Sequence, residues 1–260
     1  MVEKTFSFKT RARLIKQLGE QLIRSESIAL LELIKNSYDA DASKCEVIME
    51  NPEEEGKGEI LILDDGEGMD YETLETGWLE IGSSYKEDLL SHEDPEMHRT
   101  KRFKRYRLGE KGIGRLGVHR LGREIEIVTR KENGKELVLE IDWNDIENAK
   151  YLEDVPILIK EQSPSVFKDC SGTQIHIRKL RVPWNKKMAR ECNRSIVALN
   201  SPFDTDDSFK ATLTIDGVDW FDELLTFEDV KDYKLFHFDI EMEGNKLTKL
   251  NYDFLPWDTM

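Results

Sequence analysis

The chain has 260 residues with 38% hydrophobic and 35% charged content, enough to bury a core in one large domain and typical of a globular protein. No run of 18 apolar residues offers a membrane span, and residues 1–15 lack the apolar core of a secretory signal. Cys45, Cys170 and Cys192 are too far apart for a zinc pattern and too few for a disulfide framework, which predicts a reducing, cytoplasmic setting; the net charge of −15 argues against wholesale wrapping of nucleic acid.

In chain order, Thr5–Phe8 alternates like a short edge strand, and residues 10–24 carry Leu14, Leu18 and Leu22 at helical spacing. Ser25 or Ser27 is placed to cap a second helix, whose apolar face is Leu30, Leu31, Leu33 and Ile34. On that helix Glu32 and Asn36 are one turn apart and Asp39 follows on roughly the same side, so a carboxylate, an amide and a second carboxylate project from an otherwise greasy helix. Taken alone, this is equally an amphipathic helix with a polar rim.

Strands follow at Lys44–Glu50 and Glu59–Leu63, the second running into Asp64-Asp65-Gly66-Glu67-Gly68-Met69. Gly66 and Gly68 permit a sharp turn and a close approach of a flat ligand to bare backbone, beside a carboxylate able to accept from an amine; an ordinary Asp-Gly turn is the plainer reading. A short helix is expected around Tyr71–Leu79. Residues 82–112 are polar and without periodicity, and a loop of that length in a compact domain is usually functional or mobile. The loop ends in Gly109-Glu110-Lys111-Gly112-Ile113-Gly114, opening a helix to Leu121, where free amides and a lysine suit phosphate. Gly112 to Gly117 matches the dinucleotide fingerprint literally but lacks the hydrophobic strand before it, and no Walker A loop is present.

Further strands are predicted at Glu124–Arg130, Glu136–Trp143, near Val155–Lys160, and from Ser171-Gly172-Thr173 to Arg178, then a helix from Pro183 to about Leu199. Lys210–Ile215, Leu235–Met242 and Lys246–Phe254 read as strands of a separate β-rich unit, giving one domain over 1–204 and the start of another over 205–260. The basic, aromatic stretch 99–107 reads slightly better as a solvated charge run than as a nucleic-acid contact, and the basic residues of 178–194 as a helix's polar face.

In this order, Glu-x-x-x-Asn-x-x-Asp-Ala at 32–40, Asp-x-Gly-x-Gly at 64–68, Gly-x-Lys-Gly-x-Gly at 109–114 and Gly-Thr at 172–173 resemble the four boxes of the GHKL (Bergerat-fold) ATPase superfamily. With Ile-Gly-Ser-Ser-Tyr-Lys at 81–86, the pattern looks most like bacterial Hsp90-like or MORC-like ATP-binding proteins, over about residues 5–200. The resemblance implies an α+β, two-layer α/β sandwich: a mixed, mostly antiparallel sheet with helices on one face and a lid at about 82–114. It implies that Asp64 accepts the adenine amino group, helped by Thr173, with Gly66, Gly68 and Met69 near the base. It further implies Asn36 as the Mg²⁺ ligand, Glu32 as the residue acting on the attacking water, and Lys111, Gly112, Ile113 and Gly114 at the phosphates. Ser83 and Asp39 complete the expected cofactor-binding set. A homodimer closing on ATP, slow hydrolysis to ADP and phosphate, and a role in DNA handling or phage defence are also implied, with nucleic acid left open as a partner. Histidine kinases share the pattern but usually carry an amide where Glu32 stands, so a kinase-type domain is the runner-up, alongside a module that holds nucleotide without turnover.

Overall fold

The computed structural model describes residues 3, 7–81, 98–109, 114, 117–200, 209–217, 220–221 and 236–254. The chain divides into two compact units, Met1–Trp220 and Phe221–Met260. The first holds a seven-stranded sheet formed by β1 (Lys44–Glu50), β2 (Glu59–Asp64), β3 (Gly122–Arg130), β4 (Glu136–Asp142), β5 (Ile159–Gln162), β6 (Gly172–Leu180) and β7 (Lys210–Ile215), in the order β5-β4-β3-β6-β2-β1-β7. All neighbours are antiparallel except β1 and β7, so the sheet is mixed and mostly antiparallel, as expected.

Period-2 alternation decides which side chains meet the helices. Val47, Ile62, Ile175 and Ile127 lie in register across β1, β2, β6 and β3, and Met49, Ile60, Ile177 and Ile125 form the next row. All eight are buried. Over this face pack α1 (Arg13–Leu22), α2 (Glu26–Asp39), α4 (Gly117–Leu121) and α6 (Lys186–Leu199), with α3 (Tyr71–Leu74) and a π turn (Glu75–Leu79) following β2. On the opposite face a smaller cluster of Leu63, Val128, Val138 and Phe167 forms beneath the loop that joins β5 to β6.

Helix α2 starts where Ser25 accepts from the Ile28 amide at 3.3 Å, and it buries Ala29, Leu30, Leu33 and Ile34, with Leu31 half-buried. Helix α1 departs from its predicted face. Ala12, Ile15 and Gly19 are buried, whereas Leu14 is exposed and Leu18 half-buried. A short helix α5 (Trp143–Asn148), capped by Asp142, interrupts what read as the end of a strand.

Strand β7 corrects the expected domain division. It belongs to the main sheet, Lys44 to Met49 pairing in parallel with Lys210 to Ile215, and Asn200 at the end of α6 exchanges two hydrogen bonds with Ala211. Alternation alone gives no partner strand, so its unit was not readable from the sequence. In the second unit the two predicted strands, β8 (Phe236–Glu243) and β9 (Lys246–Phe254), pair as an antiparallel hairpin.

Candidate functional site

The polar centre of the sheet is a single row. Cys45, Asp64, Thr173 and Thr129 stand in register across β1, β2, β6 and β3, at the end of the two apolar rows described above. Because the side-chain period is two, all four face the helix layer. Asp64 is buried, and three donors converge on its carboxylate: the Ser37 hydroxyl on Oδ2 at 2.8 Å, and the amides of Gly66 and Thr173 on Oδ1 at 3.0 and 3.2 Å. Burial pushes the Asp64 carboxyl up to about 6, against the pull of those same donors. Beside it, burial pushes the Cys45 thiol up to about 12, so it is a packed neutral group.

A second set of hydrogen bonds fixes the glycine turn. Thr129 Oγ1 lies 3.0 Å from Thr173 Oγ1, accepts from the Met69 amide at 2.9 Å and donates to the Gly172 carbonyl at 3.1 Å. Gly68 has φ +66° and its Cα is turned toward the Arg130 carbonyl, where a Cβ would stand 1.9 Å from the oxygen; only glycine fits. Asp64, Gly66, Gly68, Met69 and Thr173 therefore come together. Asp65, next to the central carboxylate, turns away and accepts from Ser43 and from the Lys44 amide.

Helix α2 links this row to the glycine loop. Ser37 touches Asp64, and one turn and more toward the N-terminus Glu32 meets Gly114. A Cβ on Gly114 would lie 3.1 Å from the Glu32 Cβ and 3.3 Å from its Oε2. Glu32 is partly exposed, and its Oε1 accepts from Lys35 Nζ at 2.8 Å. Asn36 sits on the same helix, half-buried, between these two ends. Ser83, Lys111, Gly112 and Ile113, and most of the expected lid, lie outside the described residues.

Two readings gain detail from the structure. Asp39, three residues after Asn36 on α2, uses its carboxylate to hold backbone of the following loop. It is buried, accepts from the amides of Leu108 and Gly109 at 2.7 and 3.1 Å, and so anchors the chain leading into the glycine loop. The second concerns the basic stretch, which is not a loose charge run. Arg105 is buried, donates to the Ala42 carbonyl and stacks on Phe103 at 4.1 Å, while Arg107 donates to the Asp39 carbonyl at 2.8 Å. Arg107 answers the carbonyl of the last residue of α2, where a helix leaves acceptors unsatisfied, and Arg105 answers one three residues further on.

Ser37 and Thr129 escaped the sequence reading. Ser37 belongs to no box of carboxylates or glycines, and Thr129 ends a strand like many threonines. Only the strand register could have found Thr129, through the alternation that turns polar at one end of β1, β2, β3 and β6. Glu136 was also missed. It is wholly buried and accepts from Gln162, from the Ser165 amide and hydroxyl, and from the amides of Val166 and Phe167, holding the loop that closes the back of the sheet.

The comparisons with known proteins agree with this geometry. A family model described as histidine kinase-, DNA gyrase B-, and HSP90-like ATPase matches residues 23–175. The chain is also 26% identical over 223 residues to the "Putative type II restriction enzyme HgiDII" of Herpetosiphon aurantiacus, an alignment covering 79% of this chain and 33% of the relative. The chain thus spans about a third of the length of the curated relative it matches.

Proposed function

Since the chain belongs to the histidine kinase-, DNA gyrase B- and HSP90-like ATPase family, we propose that it hydrolyses ATP slowly, holding the base at the Asp64 row and the phosphates beside Glu32 in the middle of α2. The observation that carries the reading is the pairing of two polar contacts on one helix, five residues apart: Ser37 against Asp64, and Glu32 against Gly114. A carboxylate held between hydroxyl and amide donors, at a turn where backbone is bare, is an acceptor for an exocyclic amine. The amides of 112–114 with Lys111 form the phosphate seat in this reading.

Glu32 orients and deprotonates the attacking water, a role that its half-exposed position on the rim permits and that an amide could not fill. Lys35 holds one Glu32 oxygen, leaving the other on the Gly114 side. A magnesium ion fits here because Mg²⁺ takes few protein ligands and is carried mainly by phosphate oxygens; Asn36, a neutral amide one turn from Glu32, is the ligand that the helix offers. Bound there, the ion would neutralise the triphosphate charge that positioning alone leaves uncompensated. Asp39, by tethering Leu108 and Gly109, ties the expected lid over 82–114 to the same helix, so nucleotide and loop order together.

We extend the reading to ATP-dependent pairing of two copies, with nucleotide turnover resetting the closed state. The matched relative is described as "Putative type II restriction enzyme HgiDII" and is much longer than the aligned part; the corresponding proposal is that this domain lends a nucleotide-governed conformational step to a protein acting on DNA. The kinase-type alternative predicts labelled phosphate on protein instead of in solution. The test is Glu32→Ala, followed by calorimetry with a non-hydrolysable ATP analogue and Mg²⁺ and by phosphate release. Binding is expected to persist while hydrolysis falls by about 10²-fold or more. Unchanged hydrolysis, or none in either protein, would remove Glu32 from the role.

A further inference from the structure

Six cations and no carboxylate occupy residues 98–109 in a chain whose net charge is −15. Two of them, Arg105 and Arg107, are consumed by the end of α2, as described. Of the other four, Lys101, Arg102 and Lys104 are exposed on a built loop, and the half-buried Arg99 donates to the Lys104 carbonyl and the Tyr106 hydroxyl. Arg99 bridges to Tyr106, the Thr100 amide donates to the Arg105 carbonyl at 2.8 Å, and the Arg105 amide returns to the Thr100 hydroxyl at 3.0 Å. This leaves Lys101, Arg102, Phe103 and Lys104 as the tip of a hairpin-like turn, with Lys104 in the left-handed region at φ +54°.

The tip is pinned from below by a buried carboxylate. Asp41 accepts from the amides of Arg102 and Phe103, so the backbone of the turn is fixed while Lys101, Arg102 and Lys104 remain exposed. Aromatic rings hold two guanidinium groups extended, Arg99 over Tyr106 at 4.2 Å and Arg102 over Phe103 at 4.5 Å. An ordered cationic tip of this kind loses less side-chain freedom on meeting phosphates than a solvated charge run would. Among the described residues the acids that meet the tip are Asp41, beneath its backbone, and Glu67, whose carboxylate lies 3.8 Å from Lys101 Nζ, with Lys101 and Glu67 both substantially exposed. The tip docks at residues 41–42, past the end of α2, whereas Gly114 docks at Glu32. Helix α2 ends at Asp39, about 10 Å along its axis from Glu32 at about 1.5 Å per residue, and the tip docks beyond that end, so the tip and the Glu32–Gly114 contact are distinct.

We propose that the turn formed by Lys101, Arg102 and Lys104 is a contact surface for the sugar–phosphate backbone of duplex DNA. The proposal rests on the DNA-acting part of the reading above and is independent of hydrolysis. Contacts of this kind position a protein without reading sequence, and each neutralised phosphate steepens the salt dependence of binding. Through Asp39 and Asp41 the turn and the glycine loop share the C-terminal end of α2, which gives bound DNA a mechanical route to the helix that carries Glu32 and Asn36.

The experiment is fluorescence anisotropy of a short labelled duplex of arbitrary sequence with the full chain, over a salt series, without nucleotide. The variant K101Q/R102Q/K104Q is compared with K186Q/K187Q/R194Q, which removes the same charge from the exposed face of α6. The wild type is expected to bind with a steep salt slope. The turn variant should bind about tenfold or more weakly, with the slope of log K against log salt reduced by about 2 to 3, while the α6 variant keeps most of the affinity. Equal losses in both variants, an unaltered turn variant, or no wild-type binding at low salt overturn the proposal. So does a poly-glutamate chain that competes as well as the duplex, which would assign the turn to an acidic protein instead. Phosphate release measured on the same samples separates the two readings. Turn-dependent binding with no hydrolysis sinks only the ATPase mechanism, and hydrolysis with no turn-dependent binding sinks only this surface.

Discussion

Replacing Asp64 by asparagine separates what the residue does for the fold from what it does for a ligand. The side chain is buried, and its carboxyl is pushed from an ordinary 3.8 up to about 6, chiefly by burial. The folded protein therefore holds the proton more tightly than the unfolded chain. Protonation contributes stability that is present below 3.8 and is lost as pH rises through about 6. The gap corresponds to about 3 kcal/mol at about 1.4 kcal/mol per decade, an upper bound on what the ionised form costs above pH 7. Asparagine keeps the shape and the hydrogen bonds: its carbonyl can accept from the Gly66 and Thr173 amides, and its amide can donate to the Ser37 oxygen. The variant escapes the ionisation penalty, though neutral hydrogen bonds are weaker than those to a carboxylate. Denaturant melts of both proteins between pH 4 and 8 should thus show a difference that moves in favour of D64N as pH rises and levels off above about 7, by up to about 3 kcal/mol. Nucleotide binding by the same variant should weaken by about tenfold or more, since the strongest acceptor for an amine is gone. A stability difference that is flat with pH, or that grows against D64N, would show that Asp64 is not carrying a buried charge, and the account of the row would fail.

Two further outcomes follow from the same framework. Glu136 holds the loop behind the sheet; burial pushes its carboxyl up, but the Phe167 amide, Gln162 and Ser165 outweigh that and leave it at about 2. Its stabilising effect is present above the ordinary carboxylate range and lost as pH falls toward 2, so E136A should cost about 3 kcal/mol or more at neutral pH by urea melts and should abolish the part of acid unfolding that this group supplies. Gly68→Ala should destabilise by about 3 kcal/mol or fail to fold, because both the left-handed backbone and the 1.9 Å clash with the Arg130 carbonyl must be relieved. Soluble G68A with wild-type melting would refute the stated packing.

Much of the fold could be read because its elements are locally periodic. The alternation of Cys45, Val47 and Met49, the run of β2 into Asp64, and the helical spacing around Leu30 and Leu33 each fix an element without reference to the others. The glycine turn at 66–68 was likewise legible, since a positive φ at Gly68 is a local demand. Helix α1 misled because Leu14 and Leu18 mark a helix but not which side lies against a neighbour. The buried side carries Ile15 and Gly19.

Order along the chain placed Glu32, Asn36, Asp64, Gly114 and Thr173 in one pattern, which was enough to point to the ATPase family. It could not say that Ser37 and Thr129 complete the carboxylate's surroundings, that Asp39 serves the loop after Arg107, or that β7 belongs to the first sheet. Nor could it show that two of the six cations in the basic stretch answer carbonyls at and just past a helix end while Lys101, Arg102 and Lys104 face solvent. Those facts depend on strand register and on which backbone groups a helix terminus leaves unsatisfied. Both arise from contacts between residues far apart in sequence, and local preference carries no record of them.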